Sequence, residues 1–126
     1  MLTKKLLQSK FIYLAIVVTV GIAVLSLIKI NAPAVSLSYS DKAFHTLAYF
    51  VLGFLWLLAI RKKGTKFAVI LLVILFGILL EILQSLLTDY RTFEYLDMVA
   101  NSLGAFISVL AFTYIEKKQS KLLNSL

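Results

Sequence analysis

The stretch from Phe67 to Leu87, FAVILLVILFGILLEILQSLL, decides the fold. It is broken chiefly by Glu81 and Gln84. At ~1.5 Å per residue, a helix of this length crosses the ~30 Å hydrocarbon core of a bilayer. Three further apolar runs have similar length: Phe11–Ile28, Ala43–Ile60 and Met98–Ile115. Backbone polar groups in lipid must be paired within the spanning element, which leaves helices or a closed barrel. Barrel strands alternate polar with apolar residues, and these runs do not. The expectation is an all-α, four-helix transmembrane bundle in a single domain, 1–126. Its helices should cover about residues 11–30, 42–60, 66–88 and 95–115.

Composition agrees. Of the 126 residues, 61% are hydrophobic and 15% charged, and the mean hydropathy is +0.96. Soluble domains carry about 25% charged residues. A water-soluble fold of this size could not hide so much apolar surface. Cysteine is absent, which excludes disulfides, thiolate metal sites and a cysteine nucleophile.

The net charge of +7 would suggest nucleic acid in a soluble protein, but in a membrane protein it marks cytoplasmic loops. Lys4, Lys5 and Lys10 precede the first run. Arg61, Lys62, Lys63 and Lys66 join the second to the third, and Lys117, Lys118 and Lys121 follow the fourth. Only Lys29, Lys42 and Arg91 fall on the opposite side. The positive-inside rule then places both termini and the central link in the cytoplasm. The first run is read as a retained helix, because it is longer than the ~7–15 residues of a signal-peptide core. The tail 116–126, basic and mildly amphipathic, is expected to lie along the inner membrane surface.

The chemistry-bearing residues gather near the outward ends of helices two, three and four. Asp41, His45 and Tyr49 are spaced by four and share a helical face. Gly77, Glu81, Gln84 and Ser85 share a face of helix three, and Asp97 and Asn101 one of helix four. Glu81 is the most informative. A charge at mid-membrane costs about 2.5–3.5 kcal/mol on insertion scales, so the side chain must face the bundle interior or a wet cavity. It is either ionised beside Lys42, Arg91 or a cation, or kept protonated by burial. A carboxyl that merely ties helices together is the plain structural alternative. His45 is equally open: its spacing from Asp41 suits an oriented imidazole, and a hydrogen-bonded core histidine is as good a reading. Asp97 could be no more than an acidic cap. Ala100, Gly104 and Ser108 are spaced by four and predict close approach of another helix, and Gly77 suggests the same.

In order, the polar residues read Asp41-Lys42-x-x-His45-x-x-x-Tyr49, Glu81-x-x-Gln84, Arg91, then Asp97-x-x-x-Asn101-x-x-Gly104. This set, over about residues 38–110, resembles the VanZ-like family of small bacterial membrane proteins. The resemblance implies a bacterial cytoplasmic membrane and a cell-envelope setting. Through the protein that gave the family its name, it implies a link to resistance to the glycopeptide teicoplanin. It implies no reaction.

Two functions compete. In the first, the cluster is a site for a membrane lipid or a lipid-linked cell-wall intermediate. Asp41, His45, Glu81 and Asp97 would then be the candidates for acid–base chemistry or for a divalent metal. Lys42, Tyr49, Gln84, Arg91 and Asn101 would hold the ligand, the cations on phosphate. In the second, the protein is a non-enzymatic helper and the cluster is helix glue. A transporter ranks below both, because no inverted repeat is visible. Nucleophilic catalysis finds no elbow motif around Ser85, and there is no phosphate-binding Gly loop.

Overall fold

The structure, a computed structural model, describes residues 2–28, 38–62, 64–87 and 95–125. It contains four helices: α1 (Leu2–Leu27), α2 (Ser38–Ala59), α3 (Lys66–Leu87) and α4 (Tyr95–Ser125). Each contains a segment long and apolar enough to cross a membrane. No strand occurs among the described residues. The apolar runs thus become helices as expected, with shifted ends. Leu2–Lys10 joins α1, which stops at Leu27 instead of residue 30. Residues 116–125 continue α4 as one unbroken helix, beyond the end expected at residue 115. The reason is local: Glu-Lys-Lys-Gln-Ser-Lys-Leu-Leu contains no glycine or proline to end the helix.

The link between α2 and α3 is short and well punctuated. Gly64 takes a positive φ of 83°, a backbone conformation that glycine adopts without strain. Thr65 then starts α3. Its carbonyl accepts from the Val69 N–H at 2.9 Å, while its hydroxyl donates to the Lys62 carbonyl at 2.6 Å.

Long-range contacts fix the directions. Gln8 near the start of α1 donates to the Ala59 carbonyl at the end of α2 (3.0 Å). Gln84 near the end of α3 donates to the Ser26 carbonyl near the end of α1 (2.7 Å). Lys42 and Asp97 join the starts of α2 and α4. Lys66 at the start of α3 reaches Glu116 far along α4 (2.7 Å). The helices therefore alternate up and down. The N-terminal end of α1, the α2–α3 link and the C-terminal half of α4 share one end, the basic one. The polar residues occupy the other.

α2, α3 and α4 form the core, with Tyr49, Leu52, Leu57, Val69, Ile70, Val73, Ala105, Val109 and Phe112 buried together. α2 and α4 approach most closely. A Cβ on Gly104 would collide with the Thr46 carbonyl oxygen and lie 2.9 Å from the Phe50 nitrogen, and one on Gly53 would collide with the Ser108 hydroxyl. The expected small-residue stripe Ala100–Gly104–Ser108 is thus the surface on which α2 lies. α1 packs on α2 and α3 and does not touch α4 among the described residues. Ala15 is its only fully buried side chain among those described, and Val18 and Ile22 reach the edge of the core. Large apolar side chains cover the outside of the bundle, Phe67 being 82% exposed and Leu86 74%, as a lipid-facing surface requires.

Candidate functional site

Helical periodicity turns the polar residues of α2, α3 and α4 inward at one end of the bundle. Asp97 and Asn101, one turn apart on α4, are 2% and 3% exposed, and Glu81 and Gln84 on α3 are equally buried. Such burial inside apolar helices demands partners. Among the described residues, every buried side-chain nitrogen and oxygen has one.

The cluster divides into two parts. The first lies between α2 and α4. Lys42 donates to Asp97 in a short ion pair. His45 Nδ1 lies 2.8 Å from Asn101 Oδ1, and its Nε2 lies 3.8 Å from Asp97 Oδ2. The amide oxygen can only accept, so Nδ1 is the donor in this contact. Thr46 completes the seam, its hydroxyl donating to the Lys42 carbonyl at 2.9 Å and the Ala100 carbonyl at 3.3 Å. Asp97 stands in the first turn of α4, where a carboxylate also suits the positive end of the helix. It is a buried ion-pair partner of Lys42 rather than an exposed cap.

The second part faces α1 and α3. Tyr49 is buried, its ring 6.5 Å from that of Phe76 and its edge against Gly77. A Cβ on Gly77 would come within 2.9 Å of Tyr49 Cε2 and 3.3 Å of the Asn101 side chain, so the absent side chain lets three helices meet here. Glu81, buried on α3 one turn beyond Gly77, belongs to the same layer. Gln84 reaches across to Ser26. Above this layer, His45, Tyr49, Gln84 and Ser26 line a cavity of about 180 Å³ together with Ile22, Leu25, Phe44 and Ala48. Phe44 and Leu25 at its margin are exposed, so it opens sideways between α1 and α2.

His45 belongs to both parts: it is bonded to α4 on one side and lines the cavity on the other. Asp97 and Asn101 stand behind it and do not line the cavity. Asp41 sits in the first turn of α2, and its side chain lies outside the described residues, as does Arg91 entirely. Ser85 turns its hydroxyl to the Ile82 carbonyl of its own helix (2.8 Å). No three His, Asp or Glu side chains among the described residues come together in a way that could hold a metal ion. Sequence reasoning missed Thr46 and Ser26. Thr46 follows Lys42 by four and could have been found as a hydroxyl on the same face. Ser26 contributes only its backbone carbonyl to the contact, which no residue type signals.

These features define a class: a small multi-pass membrane protein with a compact three-helix core, a peripheral first helix and a buried polar layer at one end. A family model, VanZ/LLP1, matches residues 4–116, and the chain belongs to that family. An uncharacterized protein of Schizosaccharomyces pombe is 33% identical over 91 residues, covering 70% of this chain and 56% of the yeast protein. The chain thus spans little more than half the length of that relative. No solved structure matches.

Proposed function

We propose that the polar end of the bundle receives the polar group of a membrane lipid or lipid-linked envelope intermediate, bound from the outer leaflet of a bacterial cytoplasmic membrane. The observation that carries this reading is the cavity beside α1. It brings His45, Tyr49 and Gln84 to a lateral opening, where a head group could enter while its tail stays in the bilayer. His45, held by Asn101 and facing Asp97, is the group best placed to exchange a proton with what binds there. Asp97 and Asn101 act as positioning residues, and Glu81 supports the layer from below through Tyr49. In this orientation both termini and the basic link 61–66 are cytoplasmic. Cysteines placed at Lys63 and Thr92 test this with a membrane-impermeant thiol reagent on intact cells: Thr92 should label and Lys63 should not, and the reverse pattern would invert the topology.

The binding test uses detergent-purified protein and a panel of phosphatidylglycerol, phosphatidylethanolamine and a polyprenyl phosphate. One of these should raise the melting temperature of the wild type, and His45→Ala should lose that gain while still folding. If the bound lipid is a cell-wall precursor, deletion of the protein should change susceptibility to teicoplanin.

A second reading is favoured by one observation: every described buried polar atom is already satisfied within the protein. The cluster would then be helix glue in a non-enzymatic helper. Glu81→Gln separates the two, because hydrogen bonds between helices need no charge whereas a carboxylate that supports binding does. Normal folding with lost lipid stabilisation supports the first reading, and no change in either supports the second.

A further inference from the structure

α1 is attached in an unusual way for a helix in a membrane bundle. Its apolar side chains mostly face outward, and hydrogen bonds spread along its length tie it down. Gln8 bonds to Ala59, Thr19 receives the Trp56 indole N–H at 2.9 Å, and Ser26 receives Gln84. Between these ties, gaps open beside the helix. One gap is the polar cavity described above. A second, of about 230 Å³, lies further toward the basic end beneath Thr19 and is walled by Leu52, Trp56, Val69, Val73 and Phe76. Leu72 and Ile60 also line it, and both are exposed, so it too opens toward the surrounding hydrocarbon.

The two cavities follow one line. Their linings pass from Ile22 to Thr19 on α1 and from Tyr49 to Leu52 on α2, single steps of three residues, or about one helical turn. On α2 the line runs from His45 to Ile60, roughly 22 Å at ~1.5 Å per residue. That exceeds half of the ~30 Å hydrocarbon core. Polar side chains mark one end and apolar ones the rest. This is the outline of an amphiphile lying along a helix, with a tail reaching past the bilayer midplane.

We propose that the seam beneath α1 is a binding site for one hydrocarbon chain of a membrane lipid, its polar group at His45 and Gln84 and its chain along Leu52, Trp56 and Val73. This rests on the head-group reading above and adds the site of the tail. The occupant is a lipid chain because both openings face hydrocarbon, and because an unfilled gap of this size would forfeit dispersion contacts that a chain supplies. Transfer of a chain from bilayer to seam brings no hydrophobic gain, so recognition rests on shape and on the polar end.

Trp56 is the only tryptophan of the chain and lines the seam, which supplies the probe. Protein in detergent is titrated with phosphatidylglycerol brominated midway along one acyl chain, and Trp56 fluorescence is followed. Quenching should saturate near one lipid per chain. Val73→Phe, which fills the seam, should remove the saturable part. Because that buried site could resist a larger side chain, Leu72→Phe at the exposed mouth is the second variant, and it should weaken the saturable part several-fold. Loss of saturation in both variants, with His45→Ala also weakened, supports tail and head sites together. Loss in both variants with His45→Ala unaffected keeps the tail site and removes the head-group reading. Quenching in the wild type that rises in proportion to lipid, unchanged by Val73→Phe and Leu72→Phe, would overturn the tail site. A melting-temperature gain that still depends on His45 would in that case leave the head-group reading standing.

Discussion

The α2–α4 interface and the α1 seam are built on opposite principles. Between α2 and α4, small residues let the backbones touch, Gly104 lying under Thr46 and Phe50, and a closed polar network of Lys42, His45, Asp97 and Asn101 fixes one register. Along α1, Ala15 is buried and Val18 and Ile22 pack on the core, but cavities interrupt the contact and hydrogen bonds bridge it. Membrane helices gain little from burying apolar surface against each other, so close packing and polar ties are the two means available. This chain relies on the first between α2 and α4 and adds the second along α1. The lipid site proposed above lies at the second kind of contact.

The sharpest way to break this comparison is to place the same substitution in both regions. Gly104→Leu forces a side chain into the α2 backbone and should cost about 3 kcal/mol, the upper part of the usual overpacking range. Gly21 on α1 has nothing within 4 Å of the position its Cβ would take, so Gly21→Leu should be nearly neutral. Unfolding of the two variants in detergent by denaturant titration checks the pair. Equal losses would mean that α1 is part of the rigid frame.

The next effect concerns the buried ion pair. Asp97→Leu leaves Lys42 without its carboxylate at the mouth of the network and should cost about 3 kcal/mol. Asp97→Asn keeps the shape and one acceptor and should cost less than half as much. Lys42 is 22% exposed and retains access to water, which limits both losses. Equal values for Leu and Asn would show that the pair matters by shape alone.

The smallest effect should come from the α1 ties. Gln84→Leu removes the bond to Ser26, and interhelical hydrogen bonds in membranes contribute about 0.6 kcal/mol on average. Global stability should barely change. Hydrogen exchange at the C-terminal turns of α1 should nevertheless rise, while exchange in α4 stays constant. Uniform acceleration throughout the bundle would contradict a peripheral α1.

Much of this was legible in the sequence for one physical reason. Lipid makes each polar residue within an apolar helix costly, so Glu81, Gln84, His45, Asp97 and Asn101 stand out and their spacing gives the faces. The small-residue stripe on α4 was legible on the same grounds. The pairing was not. Lys42, one of the partners open to Glu81, pairs with Asp97, because the crossing of α2 and α4 at Gly104 aligns their first turns, and Arg91 lies outside the described residues. The division of the cluster by His45 into a closed side and an open side was equally invisible, since it depends on how α1 packs beside α2 and α3. The helix expected over 95–115 runs on to residue 125, because an apolar run marks the membrane-crossing part of a helix and not its end, and residues 116–125 contain no glycine or proline.

We have proposed the cavity at His45, Tyr49 and Gln84 as a lipid head-group site. An experimental structure in nanodiscs made from native membrane lipid tests it most directly. Density for a polar group between His45 and Gln84, continuous with a chain running beneath α1 past Trp56, is the expected result. Density for α1 closed onto Tyr49 and Phe76, with no space left between the helices, would contradict it.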